Sequence, residues 1–157
     1  MPNTDHSICD KAVSPLQNIE DSILKELQAI YESLKSSLYL KGPNCLMCGR
    51  CCNFKEYGHE LWLTSLELTY LLLSEGYPDF EQLSVHSTCP YMLKGKCTAR
   101  EGRVLGCRIF FCQLDKDEME LLHEEYFDKI VALHKKYNIQ VEYGELLSSL
   151  NNLKNKE

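Results

Sequence analysis

Apolar residues near the start of the chain recur every three or four positions, which is the pattern of an amphipathic helix. The stripe consists of Leu16, Ile19, Ile23, Leu27, Ile30, Leu34 and Leu38. Ser14 is a suitable N-cap, and Gly42 is a suitable stop. We therefore predict a helix over residues 14–42, preceded by a flexible tail of residues 1–13. Packing against the rest of the fold explains its apolar face better than a dedicated partner-binding role.

A second helix is predicted in the middle of the chain. Thr64 and Glu67 have the spacing of a capping box, and Gly76 marks the end of the pattern that follows. Its expected apolar side consists of Leu66, Tyr70 and Leu73. Further on, Lys94-Gly95 has the composition of a tight turn between two short strands. Such a hairpin would bring Cys89 and Cys97 towards one another.

The last third of the chain again has helical periodicity. A capping-box candidate at Asp117 to Glu120 begins one predicted helix, and Glu145 to Leu153 forms a shorter one. The buried stripe of the longer helix is expected to consist of Met119, Leu122, Tyr126, Ile130, Leu133 and Tyr137. The alternation of Ile139, Val141 and Tyr143 between the two helices fits either a short strand or an extended linker.

Charge and hydropathy narrow the class of protein. The 157 residues include 17 Lys plus Arg and 23 Asp plus Glu, a net charge of −6, which argues against a broad nucleic-acid face. No apolar run approaches the ~18 residues of a membrane span, and the N-terminus lacks the features of a signal peptide. The chain is therefore expected in the cytoplasm, without a membrane partner. In that reducing compartment, clustered cysteines more often bind metal or react than form structural disulfides.

Nine cysteines are present, and all except Cys9 lie in the region of residues 44–114. The first group is Cys45, Cys48, Cys51 and Cys52. Two-residue gaps allow successive thiolates to surround one ion. The first three cysteines, with their two equal gaps, resemble the opening of a bacterial ferredoxin motif, but Lys55 stands where its fourth cysteine would be. Because adjacent side chains diverge, we expect Cys52 to serve a second site, a bridging position or packing.

A second group consists of Cys89, Cys97, Cys107 and Cys112. Together the two groups supply eight sulfurs, enough for two four-sulfur sites or for one cluster with additional thiols. All-sulfur sites suit both zinc and an iron–sulfur cluster, of the 4Fe-4S type if the metal is iron. Disulfides and buried inert thiols remain as the alternatives.

Several charged side chains accompany the cysteines. Arg50, Arg103 and Arg108 lie within or beside the motifs, where they could neutralise a thiolate site. Of the histidines, His86 is the best placed to replace a sulfur ligand. His59 lies near the first group, and the polar surface of the C-terminal helix explains His123 and His134. None of the histidines is counted among the ligands. The predicted fold class is mainly α, a small single domain of residues 14–157. Its metal-organised, cysteine-rich centre (44–114) includes a short β-hairpin and is flanked by the N-terminal helix and the C-terminal helices of residues 115–157.

The order of these motifs resembles the YkgJ-like CxxCxxCC cysteine-cluster family, described as zinc- or iron-chelating domains. Two spaced cysteines and a cysteine pair open the family motif, as at Cys45, Cys48, Cys51 and Cys52 here, and Leu63 to Glu67 match its Leu-Thr-x-x-Glu segment. The later family motifs correspond to Cys89-Pro90, Gly95, Cys97, Arg103, Cys107 and Arg108. Val104 replaces a proline that is usual in the family, and Cys112 is shared by only part of it. The resemblance covers residues 44–114.

The resemblance implies a metal-binding protein whose substrate, protein partner and reaction, if any, are unspecified. Flagellin lysine N-methylases contain a similar metal-binding part, which makes an iron–sulfur-dependent group-transfer enzyme one alternative. No nucleotide-binding glycine motif accompanies the cysteines to support it. A redox- or metal-responsive switch is the other alternative, since exposed thiolates can leave a metal site on oxidation.

Overall fold

Helices dominate the part of the chain that the computed structural model describes, residues 19–42, 52–54, 58, 60–79, 88–110 and 114–156. Within these ranges the helices are α1 (Asp21–Lys41), α2 (Ser65–Glu75), α3 (Leu105–Ile109), α4 (Lys116–Lys136) and α5 (Leu146–Asn155). The strands are β1 (Trp62–Thr64), β2 (Met92–Leu93), β3 (Lys96–Cys97) and β4 (Tyr143–Glu145). The predicted mainly helical class with a short hairpin is confirmed. No helix within these ranges is both long and apolar enough to cross a membrane.

The N-terminal helix α1 begins later than the sequence pattern suggested. Glu20 is its N-cap residue and has an extended backbone, so the helix starts at Asp21 rather than at Ser14, which lies outside the described residues. Asp21 places a negative charge in the first turn, where the helix dipole favours it. Gly42 ends α1 in the left-handed conformation (φ 78°), as its position in the sequence indicated.

The longest helices, α1 and α4, pack together around a helical cluster. This cluster consists of Ile23, Leu27, Tyr31, Leu34, Leu38, Leu66, Leu105, Ile109, Leu122, Tyr126, Ile130 and Leu133. The predicted stripe of α4 is confirmed at its four central positions, while Met119 and Tyr137 are half-buried at its ends. Tyr126 also forms a hydrogen bond of 2.9 Å with Ser37 of α1.

Strand β4 pairs with β1 in an antiparallel sheet, with Leu63 opposite Gly144 and Thr64 opposite Tyr143. The alternating segment before α5 therefore ends in a strand rather than remaining a linker. Hydrogen bonds from Ser65 N to Glu142 O and from Leu146 N to Leu61 O, both 2.8 Å, continue the pairing beyond the strands. This sheet joins the C-terminal end of the chain to the start of α2.

Helix α2 lies between the helical cluster and a second cluster that contains cysteines. The second cluster, here the cysteine cluster, is made of Cys52, Phe54, Leu61, Leu63, Leu68, Leu71, Leu72, Cys89, Tyr91, Ala99, Val104, Leu146, Leu150 and Leu153. The predicted Thr64–Glu67 capping box is present. Because α2 contacts both clusters, Leu68, Leu71 and Leu72 are buried as well as Leu66. Leu73 is 56% exposed, so its place in the predicted stripe was wrong.

The predicted hairpin is confirmed, with Met92 opposite Cys97 and Leu93 opposite Lys96. Both turn residues have positive φ angles, 51° at Lys94 and 74° at Gly95, as a type I′ turn requires. Thr98 N donates to Tyr91 O at 2.9 Å and extends the hairpin by one further bond. The hairpin directs Cys97 onto the edge of the cysteine cluster.

Candidate metal centre

Four of the eight candidate ligands are described, and all four belong to the cysteine cluster or pack against it. Cys52 and Cys89 are buried in the cysteine cluster, with 3% and 8% of their surfaces exposed. Cys97 and Cys107 are half-buried and pack against the same cluster. None of these four is joined to another residue by a disulfide. The remaining candidates, Cys45, Cys48, Cys51 and Cys112, lie outside the described residues.

Cys97 interacts with Cys52, whose thiol group lowers the pKa of Cys97 through a hydrogen bond. Their backbone environments are also linked. Cys89 N donates a hydrogen bond of 2.7 Å to Cys52 O, and Met92 N donates one of 3.0 Å to Cys89 O. Met92 in turn pairs with Cys97 across the hairpin. Backbone hydrogen bonds and the hairpin pairing thus link Cys52, from the first sequence group, to Cys89 and Cys97 of the second group.

The surroundings of Cys97 favour its thiolate form. The hydrogen bond from the Cys52 thiol is the largest influence, and with the backbone N–H of Ala99 it lowers the pKa of Cys97 to about 6, against the opposing effect of burial. The positive charges of Arg103 and Arg100 act in the same direction. A backbone N–H that donates to a thiolate is a common feature of sulfur–metal sites. Arg100 was missed in the sequence, since only its position in the turn after the hairpin brings it near Cys97.

Arg108 has a larger structural role than its place after Cys107 suggested. Its Nε donates to Arg103 O at 2.6 Å, and its terminal Nη2 donates to Glu101 O at 2.7 Å. Its guanidinium also lies 4.0 Å from the ring centroid of Tyr31, a cation–π distance. Arg108 therefore holds the turn before α3 against α1, while its charge also acts on Cys107. Arg50 lies outside the described residues.

The two histidines among the described residues both lie on α4. His134 is fully buried on α4, and His123 is half-buried on the same helix, where it stacks on Phe127. His59 and His86 are outside the described ranges. His123 lines a cleft that Cys107 also lines. The expectation that His134 is a polar residue of the helix surface was wrong, because its side chain is 0% exposed.

Across the described residues, no group of three or more Cys, His, Asp or Glu side chains is arranged to hold a metal ion. The structure brings together two contacting thiols and places two more in the same cluster. The chemistry of this donor set suits a soft metal, because thiolates with N–H donors and nearby arginines are typical of zinc and iron–sulfur sites. The four described cysteines by themselves therefore do not form a complete metal site.

No family model, curated protein or solved structure matches the chain.

Proposed function

We propose that the chain is a cytoplasmic metal-binding protein that holds zinc or an iron–sulfur cluster through its clustered cysteines. The observation that carries the proposal is the contact between the Cys52 and Cys97 thiols, which come from distant parts of the chain. Packing alone would be satisfied by two apolar side chains. Two interacting thiols beside an N–H donor and two arginines support this proposal, because such groups are common in thiolate–metal sites.

The order of cysteine motifs along residues 44–114 supports the same function. The ligand pool consists of Cys45, Cys48, Cys51, Cys52, Cys89, Cys97, Cys107 and Cys112. Cys52 and Cys97 are the two that we assign to one centre. In a domain whose middle depends on such a centre, metal binding also stabilises the fold.

Metal analysis of cysteine variants tests this proposal. The protein is purified without oxygen, and iron, zinc and acid-labile sulfide are measured per chain. We expect stoichiometric metal in the wild type and in Cys9→Ser, the matched control outside both cysteine groups. Cys97→Ser should lose most of its metal, because a serine hydroxyl is a poor ligand for a soft metal.

Far-UV circular dichroism shows whether a variant still folds. Cys97→Ala, which leaves no oxygen at the position, is a second variant that should behave like Cys97→Ser. Metal retained in both variants at the wild-type level, or wild-type protein that contains no metal, would contradict the proposal.

The same contact favours a second candidate function, a redox-responsive switch. Peroxide could oxidise the Cys52 and Cys97 thiols to a disulfide; the thiols lose two electrons and two protons, and hydrogen peroxide becomes two waters. Formation of the S–S bond would remove both sulfurs from any metal. We expect a Cys52–Cys97 peptide pair in mass spectra of peroxide-treated protein, reversed by dithiothreitol. Oxidation that instead gives sulfinic acids, or disulfides elsewhere, counts against the switch.

A further inference from the structure

A cleft of about 270 Å³ opens beside the cysteine cluster, between the β1–β4 sheet, α3 and α4. The residues that line it include Glu60, Leu61, Trp62, Cys107, Phe110 and Tyr143. Aromatic rings supply much of its wall. The proposed metal function does not account for them, since Trp62, Phe110 and Tyr143 are not ligand candidates.

The three aromatic side chains of the cleft are each partly exposed. Trp62 and Tyr143 are each 43% exposed, and Phe110 is 42% exposed. Water-exposed aromatic surface is unfavourable, and several such rings around one concave site are typical of a binding site. A ligand in this cleft would bury part of the exposed aromatic surface.

The two larger rings are held in a fixed arrangement. The centroids of Trp62 and Tyr143 are 5.5 Å apart, and their planes are inclined by 42°. Phe127 supports Tyr143 from α4, with 5.0 Å between the ring centroids. The indole Nε1 of Trp62 donates a hydrogen bond of 3.0 Å to Glu60 Oε2. Because the two rings already have a fixed arrangement, ligand binding would cost little conformational entropy of these side chains.

The charge of the cleft is negative. Glu60 supplies a carboxylate, and the described lining includes no lysine or arginine. Burial lowers the pKa of His123, so its imidazole is neutral near pH 7. The electron-rich faces of aromatic rings attract cations, and the carboxylate adds to that attraction. An anion would find no charged donor among these lining residues.

We propose that this cleft binds the quaternary ammonium group of a small organic cation. Trp62, Tyr143 and Phe110 provide the aromatic surface, and Glu60 provides the balancing charge. Such a cation has methyl groups that cover aromatic surface and a positive charge that needs no hydrogen-bond acceptor. A cleft of this volume holds a choline-sized molecule. The proposal does not rest on the metal function, although the candidate ligand Cys107 also lines the cleft.

The chain contains a single tryptophan, so the fluorescence of Trp62 reports directly on the cleft. Choline is titrated into the metal-replete full-length protein. Its neutral isostere 3,3-dimethylbutan-1-ol is titrated in parallel. We expect a saturable change in emission with choline and about tenfold weaker binding of the isostere, the difference that a partly desolvated cation–π contact supplies. Equal binding of the two compounds, or no saturable change with choline, would overturn the proposal.

Variants of Tyr143 separate the ring from its hydroxyl. Tyr143→Phe keeps the ring face and should bind choline as the wild type does, whereas Tyr143→Leu should weaken binding about tenfold. Tyr39→Leu is the control, because Tyr39 is 85% exposed at the end of α1 and does not line the cleft. Choline affinity unchanged in Tyr143→Leu would overturn the assignment. Metal content, measured on the same samples, shows independently whether the cysteine site is intact.

Glu60→Gln tests the charge. The amide keeps the size of the side chain and removes the carboxylate, so choline should bind severalfold more weakly while the neutral isostere is unaffected. A line-broadening measurement on the choline methyl signal gives a second readout that does not depend on Trp62, whose emission the Glu60 substitution could itself alter. If both readouts give wild-type affinity for choline in Glu60→Gln, the carboxylate has no role and the proposal fails.

Discussion

The phenol of Tyr31 in α1 donates a hydrogen bond of 3.2 Å to the carboxylate of Glu67 in α2. Glu67 is 1% exposed and accepts two further bonds of 2.8 Å, from Thr64 N and Leu105 N. One buried side chain thus joins α1, the start of α2 and the start of α3. Burial raises the pKa of Glu67, while these hydrogen bonds act in the opposite direction. Since α3 carries Cys107, this network also positions a candidate metal ligand.

Replacing Glu67 by alanine should destabilise the protein strongly. The change leaves buried donors on Tyr31, Thr64 and Leu105 without their acceptor, and each such donor costs about 1–3 kcal/mol. We expect the free energy of unfolding, measured by urea denaturation, to fall by at least about 3 kcal/mol. Glu32→Ala, at an exposed position of α1, is the control and should change it by less than about 0.5 kcal/mol. Similar urea midpoints for the two variants would show that the network contributes little.

Arg108→Lys should lower stability by about 1–2 kcal/mol although the charge is kept. A lysine ammonium cannot reproduce the two carbonyl contacts of the guanidinium and its stacking on Tyr31 at the same time. Arg103→Lys is the matched control, since Arg103 makes a single longer bond of 3.2 Å to Arg100 O. Thermal unfolding of both variants measures the difference. An equal or larger loss in Arg103→Lys is the result that contradicts this prediction.

His134 should make the protein sensitive to mild acid. Its side chain is fully buried, and neither ring nitrogen has a hydrogen-bond partner of normal geometry within the described residues. Burial lowers its pKa, and the nearby backbone of Ile139 and Gln140 offsets this only in part. His134 in the unfolded chain therefore becomes protonated at about pH 6.5, whereas His134 in the folded chain becomes protonated only at a lower pH. The contribution of neutral His134 to the free energy of unfolding is fully present above that pH and is lost as the pH falls through the folded-state pKa.

The variant His134→Leu should have a flatter pH dependence of stability between about pH 7 and pH 5. Urea denaturation at several pH values measures it, and the difference between wild type and variant isolates His134 from Glu67, whose raised pKa acts in the opposite sense. His123→Leu is the comparison, because His123 is only half-buried and should contribute less. Identical pH profiles for wild type and His134→Leu would refute the assignment.

The turn of the hairpin should affect metal retention, because it directs Cys97 onto the cysteine cluster. Gly95→Ala places a side chain at φ 74° and should cost about 1 kcal/mol, although nothing lies within 4 Å of the added Cβ. We expect faster transfer of metal to a chromogenic chelator. Lys94→Asn suits the type I′ turn and should slow the transfer or leave it unchanged.

The control for the hairpin is Asn138→Ala, which strains another left-handed position (φ 57°), directly after α4. It should lower stability without speeding metal release. If Asn138→Ala and Gly95→Ala release metal equally fast, global unfolding rather than the hairpin governs metal loss.

Local signals in the sequence predicted the elements that depend on near neighbours. The Thr64–Glu67 capping box, the left-handed stop at Gly42 and the Lys94-Gly95 turn each follow from residues a few positions apart. The pairing of β1 with β4 could not be predicted, because it joins segments far apart in the chain. The prediction for Leu73 was wrong for a related reason. Helix α2 packs against two clusters, so a single apolar stripe does not describe which of its residues are buried.

In the candidate site as well, contacts between residues close in the sequence could be predicted, whereas contacts between distant residues could not. The hairpin turn indicated that Cys97 and Cys89 approach one another, and both pack in the cysteine cluster. The contact between Cys52 and Cys97 had no signal in the spacing, because it depends on how residues 52–54 pack against the hairpin. Arg108 was recognised only as a charge, whereas its carbonyl contacts depend on the turn before α3.

X-ray absorption at the K edge of the metal that copurifies with the protein tests the central claim most directly. The account predicts a first coordination shell of sulfur alone, at about 2.3 Å from the metal. The same spectrum from Cys97→Ser protein, reloaded with metal, should show fewer sulfurs or a light atom in that shell. A wild-type shell made of oxygen and nitrogen at about 2.0–2.2 Å would contradict the assignment of the clustered cysteines as ligands.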